Sequence, residues 1–176
     1  MPFPRRTPPS RLRSPRAFTV LELMVAVAII SIVFALAVPA FQRIQASTRT
    51  AAIVNDFRVF STGIQTYAVE NGSWPPEAAV GEIPPGMSAS LGIAFTRPTP
   101  MGGKYNWEAS QMQLFGFRPR AAIAISSAPD APLALNSQSI NMLFALDLAI
   151  DNEVGGWNTG HFRLSGNILP LFVIEP

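Results

Sequence analysis

The nineteen residues from Leu23 to Phe41, LMVAVAIISIVFALAVPAF, constrain this chain more than any other stretch. Only Ser31 and Pro39 interrupt their apolar character. As a helix rising 1.5 Å per residue they would cover roughly 29 Å, the thickness of one bilayer's hydrocarbon core. A helix that is greasy on every side cannot lie on the surface of a soluble domain; it belongs in lipid or among other apolar helices.

The chain has 176 residues, enough for a membrane segment plus a small head domain but not for two large domains. Hydrophobic residues make up 48% and charged ones 14%, and the apolar residues gather between Phe18 and Phe41. The basic residues are equally uneven. Residues 1–17 hold five arginines, Arg5, Arg6, Arg11, Arg13 and Arg16, and no acid, whereas the remainder carries eight basic against eleven acidic residues, a net of minus three. The basicity thus belongs to a leader, which the positive-inside rule keeps cytoplasmic while everything after the apolar run is placed outside. A body of net negative charge offers no phosphate-binding surface, so no nucleic-acid partner is expected. The absence of cysteine excludes disulfides, thiolate metal sites and cysteine nucleophiles.

One residue is out of place in this greasy run. Glu22 sits at its start, and an acid deep in a bilayer costs about 2.5 to 3.5 kcal/mol, less near an end. A secretory signal peptide, cut after the small-x-small pattern Ala35, Leu36, Ala37, gains nothing from such an acid. An intramembrane acid calls for a partner. If the leader were cut between Ala17 and Phe18, a new α-amine would appear four residues before Glu22, one helical turn away and on the same face. It could pair with Glu22 of its own chain or of a neighbouring copy, and that pairing could offset the burial.

Arg16-Ala17-Phe18-Thr19-Val20-Leu21-Glu22-Leu23 resembles the prepilin cleavage and methylation motif of type IV pilins and type II secretion pseudopilins. In that family a basic leader ends at a small residue, usually Gly, where this chain has Ala17. The resemblance implies that Ala17 is the last leader residue, Phe18 the N-methylated mature terminus and Glu22 the acid used in assembly. Pro39 falls where many family members place a helix-bending proline. It also implies partners: a prepilin peptidase that is also the methylase, other copies or related pilin-like subunits, an inner-membrane assembly machinery, and membrane lipid before assembly.

Past Pro39 the pattern becomes one-sided, with Phe41, Ile44, Ala51, Val54, Phe57, Ile64 and Tyr67 recurring at helical spacings. Asn71-Gly72 supplies a stop and Pro75-Pro76 forbids resumption, so a single helix of roughly 80 Å is expected, bent at Pro39. Asn71-Gly72-Ser73 matches a glycosylation acceptor but reads as a turn. Residues 73 to 102 read as loop with one short helix near Met87 to Leu91. Strands are expected at Lys104–Ala109, Gln113–Phe117, Ala121–Ser126, His161–Ser165 and Ile168–Ile174, the last an edge strand or a bulged one because of Pro170. Ser165-Gly166-Asn167 suits a hairpin turn between the last two. A helix is expected over Ser137–Ile150, capped by Ser137 or Asn136, with Ile140, Leu143, Phe144 and Asp147 along one side. The fold class is therefore α+β. A leader (1–17), a transmembrane and assembly helix (18–41) and its amphipathic continuation (42–72) precede a small antiparallel-sheet head (73–176).

Catalytic chemistry has little to build on. His161 is the only histidine, no serine sits in a nucleophile elbow, and Gly102-Gly103 and Gly155-Gly156 are turn pairs rather than phosphate loops. No enzyme activity and no cofactor are expected. The one cluster of oxygen-bearing side chains is Asp147, Asp151, Asn152 and Glu153, at a helix C-terminus where the dipole disfavours acids. Calcium could answer them, although the alternative is a solvated helix end. Three functions remain open: a filament subunit, a membrane-tethered periplasmic binding module, and a secreted soluble protein cut after Ala37.

Overall fold

The computed structural model describes residues 18–109, 119–133, 136–166 and 169–175. The leader with Ala17, and the strand expected over Gln113–Phe117, lie outside these. The chain divides into two compact units, one ending at Gln42 and the other beginning at Arg43. Helix α1 (Val20–Asn71) supplies residues to both.

In the second unit α1 buries Thr50, Ile53, Phe57, Phe60 and Ile64, three or four residues apart and so on one face, together with Ser61 beside them. Of the expected stripe, Phe57 and Ile64 are buried and Val54 and Tyr67 pack partly buried against the core, whereas Phe41 and Ile44 are about two-thirds exposed and Ala51 is exposed too. The helix stops at Asn71, followed by Gly72 at φ +69°, a left-handed position that glycine takes without strain. Gly63 makes room for a neighbour: a Cβ there would lie 3.2 Å from the Cβ of Ser90 in the short helix α2 (Ser88–Leu91).

Against the buried face of α1 lies a four-stranded antiparallel sheet: β1 (Lys104–Glu108), β2 (Ala121–Ser126), β3 (Phe162–Leu164) and β4 (Pro170–Glu175), in the order β1-β2-β4-β3. Alternation sends Tyr105 and Trp107 of β1 inward. Tyr105 meets Phe57 and Phe60 edge-on, with centroids 5.8 and 4.9 Å away, and Phe57 stacks on Phe172 of β4 at 5.3 Å. Trp107 Nε1 donates to the Pro75 carbonyl at 3.0 Å, tying the loop after α1 to the sheet. All six residues of β2 are buried: Ala121, Ile123 and Ile125 join the main core, and Ala122 and Ala124 form a second cluster with Leu171.

The last strand corrects an expectation. β4 is not an edge; it lies between β2 and β3. Pro170 is tolerated because it is the first residue of the strand, opposite Leu164, where a missing N–H costs least. The register shift in β4 lies at its other end, where Ala121 pairs Glu175 but Ala122 pairs Val173.

Helix α3 (Ser137–Asp151) starts on Asn136, whose side chain accepts from Ser139 N at 2.9 Å, and ends on Asn152 in the left-handed conformation. Ser139, Met142, Leu143, Leu146 and Asp147 form its buried face, while Ile140, Phe144 and Leu148 stay partly exposed. The expected side through Ile140 and Phe144 is therefore turned too far outward.

Candidate functional site

At the start of α1, Thr19-Val20-Leu21-Glu22 forms a reciprocal cap. The Thr19 hydroxyl accepts from Glu22 N at 3.2 Å, and Glu22 Oε2 accepts from Thr19 N and from the Thr19 hydroxyl, each at 3.0 Å. This is the capping-box arrangement, which satisfies two N–H groups that a helix start leaves unpaired. The same carboxylate lies in the first turn, where the helix dipole favours negative charge. Sequence reasoning looked for the partner of Glu22 in an amine that exists only after cleavage. The T-x-x-E spacing before an apolar run carried the Thr19 partner all along.

Around this polar knot everything is greasy. Glu22 is the only charged residue between Phe18 and Gln42, and every residue from Phe18 to Arg49 is exposed. Val20, Leu21, Leu23 and Met24 are each 60% exposed or more. So large an apolar surface does not stay bare in water. Among the described residues, α1 is the one helix long and apolar enough to cross a membrane. Its interior polar group is satisfied locally: the Ser31 hydroxyl donates to the Val27 carbonyl at 2.8 Å, as a lipid environment demands. The helix runs unbroken through Pro39 and through Ala35-Leu36-Ala37.

The family described as the prokaryotic N-terminal methylation motif matches residues 12–38, which span the basic leader's end, Ala17, Phe18, Glu22 and the apolar run. The chain carries a prepilin-type N-terminus. No solved structure matches the chain. The prepilin motif implies processing by a prepilin peptidase, and a single N-terminal apolar helix behind it agrees with an inner-membrane prepilin. Together with the helix-on-sheet architecture the motif implies a type IV pilin- or pseudopilin-like subunit, and proteins of that kind are typically structural and not catalytic.

The acidic cluster of the pilin-like head is only partly a solvated helix end, with Asn152 and Glu153 exposed and Asp147 and Asp151 tied to the backbone. Asp147 is fully buried, and its Oδ2 accepts from Gly155 N at 2.6 Å and Gly156 N at 3.1 Å. Asp151 accepts from His161 N at 2.8 Å and Phe162 N at 2.7 Å, one through each oxygen. Asn152 caps α3, and Glu153 reaches the Thr159 hydroxyl at 3.4 Å. Asp147 and Asp151 thus bind the backbone of the segment that leads from α3 into β3. Among the described residues no group of three or more acidic or histidine side chains converges to hold a metal. Sequence reasoning also missed Asp56, whose Oδ2 accepts from the Tyr105 hydroxyl at 2.8 Å. Burial first, and the Asp56 charge second, push that phenol well above its ordinary range.

Proposed function

We propose that this chain is a structural subunit of a type IV pilus-like or type II secretion pseudopilus filament. In this reading the prepilin peptidase cuts between Ala17 and Phe18 and methylates Phe18, and the mature subunit assembles through its N-terminal helix with Glu22 as the assembly acid. Before assembly the helix crosses the inner membrane, with the leader in the cytoplasm and the head in the periplasm. Inner-membrane machinery then moves it into a periplasmic or extracellular filament. A small head and a chain with no cysteine favour the pseudopilus.

The observation that carries this reading is Glu22, the lone charge between Phe18 and Gln42 on an apolar, exposed stretch of helix, directly behind a basic leader. In a bundle of such helices, lipid or neighbouring copies cover the apolar sides. A carboxylate one turn from a freed α-amine then gains a cation to pair with.

Mass spectrometry of the mature N-terminus is the direct experiment. Methyl-Phe18 is the expected product; a chain starting at Val38, or one retaining its arginines, would overturn the assignment. Glu22→Ala is expected to be inserted and processed but not assembled, and normal filaments from that variant would refute the role given to Glu22.

A further inference from the structure

Within the unit that begins at Arg43, a cavity of about 220 Å³ opens between α1, the end of α3 and the β3–β4 pair. Val54, Arg58 and Ser61 reach it from one face of α1, Ile150 from α3, and His161 and Phe172 from the sheet side. Its walls are mostly apolar, yet the lining holds a guanidinium and an imidazole and no acid. Among the described residues the Arg58 guanidinium takes part in no ion pair and no hydrogen bond. The nearby acid Asp151 has both oxygens committed to backbone amides.

The histidine is held for a purpose. Its Nδ1 lies 2.9 Å from the Val173 carbonyl, and its ring stacks on Phe172 with centroids 5.9 Å apart. A carbonyl only accepts, so Nδ1 carries the proton and Nε2 is the nitrogen left for another partner. A guanidinium presents paired donors that match a carboxylate's two oxygens. Beneath it Phe172, Ile150 and Val54 offer hydrocarbon. The volume lies below the roughly 300 to 1,000 Å³ of drug-sized pockets, which limits the guest to about one ring or one branched chain.

We propose that this cavity binds a small carboxylic acid with an apolar body, Arg58 holding the carboxylate and Phe172, Ile150 and Val54 receiving the body. His161 completes the polar rim. The site does not depend on polymerisation.

Titration of the full chain in nonionic detergent micelles with benzoate, followed by amide NMR shifts of residues 54–61 and 161–172, tests this. Benzamide, of the same shape but uncharged, is the control. Benzoate is expected to saturate below about 10 mM, and benzamide to bind at least about tenfold more weakly. Arg58→Gln should weaken benzoate by about tenfold or more without changing the melting temperature, since Arg58 is exposed. Arg58→Lys, which keeps the charge and loses the fork, should fall between, and serves if the Gln variant folds poorly. The proposal fails if benzoate shows no saturable shifts, if benzamide binds equally well, or if both Arg58 variants bind benzoate as the parent does.

Discussion

Thr19 and Glu22 close a reciprocal pair at the first turn of α1, the hydroxyl taking the Glu22 amide proton at 3.2 Å and the carboxylate taking the Thr19 amide proton at 3.0 Å. In the uncut chain, therefore, the acid at the edge of the apolar run already has a partner from its own backbone. The proposed cleavage before Phe18 would add a second candidate partner, an amine one residue from Thr19.

Thr19→Val keeps the shape and removes the cap oxygen. It is expected to destabilise the first turn by about 1 kcal/mol, raising amide exchange of residues 20–23 roughly fivefold in micelles, whereas Thr19→Ser should match the parent. Equal protection in all three chains would contradict the cap's role.

Asp147 holds two backbone amides from inside the core. Asp147→Ala removes the acceptor from two part-buried amides and should cost about 1 to 2 kcal/mol in chemical denaturation, with Asp147→Asn, which retains one acceptor, costing about half of that. Because Asp147 and Asp151 are spent on the chain itself, calcium and EGTA are expected to leave the melting midpoint unchanged.

Glu108 gives a pH signature. Burial, then the charge of Glu77, raise its carboxyl above the ordinary value of 4.5, against the hydrogen bond from Asn106. A carboxyl with a raised folded pKa holds its proton more tightly when folded, so its favourable contribution is complete below about 4.5 and is lost as pH rises through the folded value. Glu108→Gln should therefore be more stable than the parent at about pH 7, and the difference should shrink as pH falls toward 4.5. Denaturation midpoints across that range decide it; a gap that widens on acidification would reverse the sign.

Gly63 tests the close approach of α2. Gly63→Ala gains about 1 kcal/mol of helix propensity but sets a methyl group 3.2 Å from Ser90 Cβ, so a near-neutral change is expected. Gly63→Leu cannot be relieved by a small shift and should lose about 2 kcal/mol or more, measured by the same denaturation curves.

Much of this architecture was legible in the sequence because it rests on local, periodic signals. The run from Leu23 to Phe41, the Asn71-Gly72 stop and the Asn136 cap each act over a turn or two of chain, and the helix ends fall within a residue or two of their expected places. What was not legible depends on contacts between distant residues. Pro170 suggested an edge because proline's missing N–H is a local fact, but strand order is set by how β2 and β3 both pair with β4. Asp147 and Asp151 looked like surplus charge at a helix end because their amide partners lie eight to eleven residues further on. On α1 the expected stripe holds at Phe57 and Ile64 but fails at Phe41 and Ile44, because exposed apolar residues carry the same hydrophobic signal as buried ones. Only Thr19 was overlooked despite a local pattern.

The central place of β4 has a temporal consequence. β1 and β2 can zip together as soon as both have emerged, but among the described residues β3 pairs only with the strand that follows it. A head threaded outward in chain order, behind an N-terminus held in the cytoplasm, would expose an open flank of β2, rows of N–H and C=O groups awaiting a mate, until residues 170–175 arrive to slot in between. Any factor guarding the head during export would be needed most in that interval.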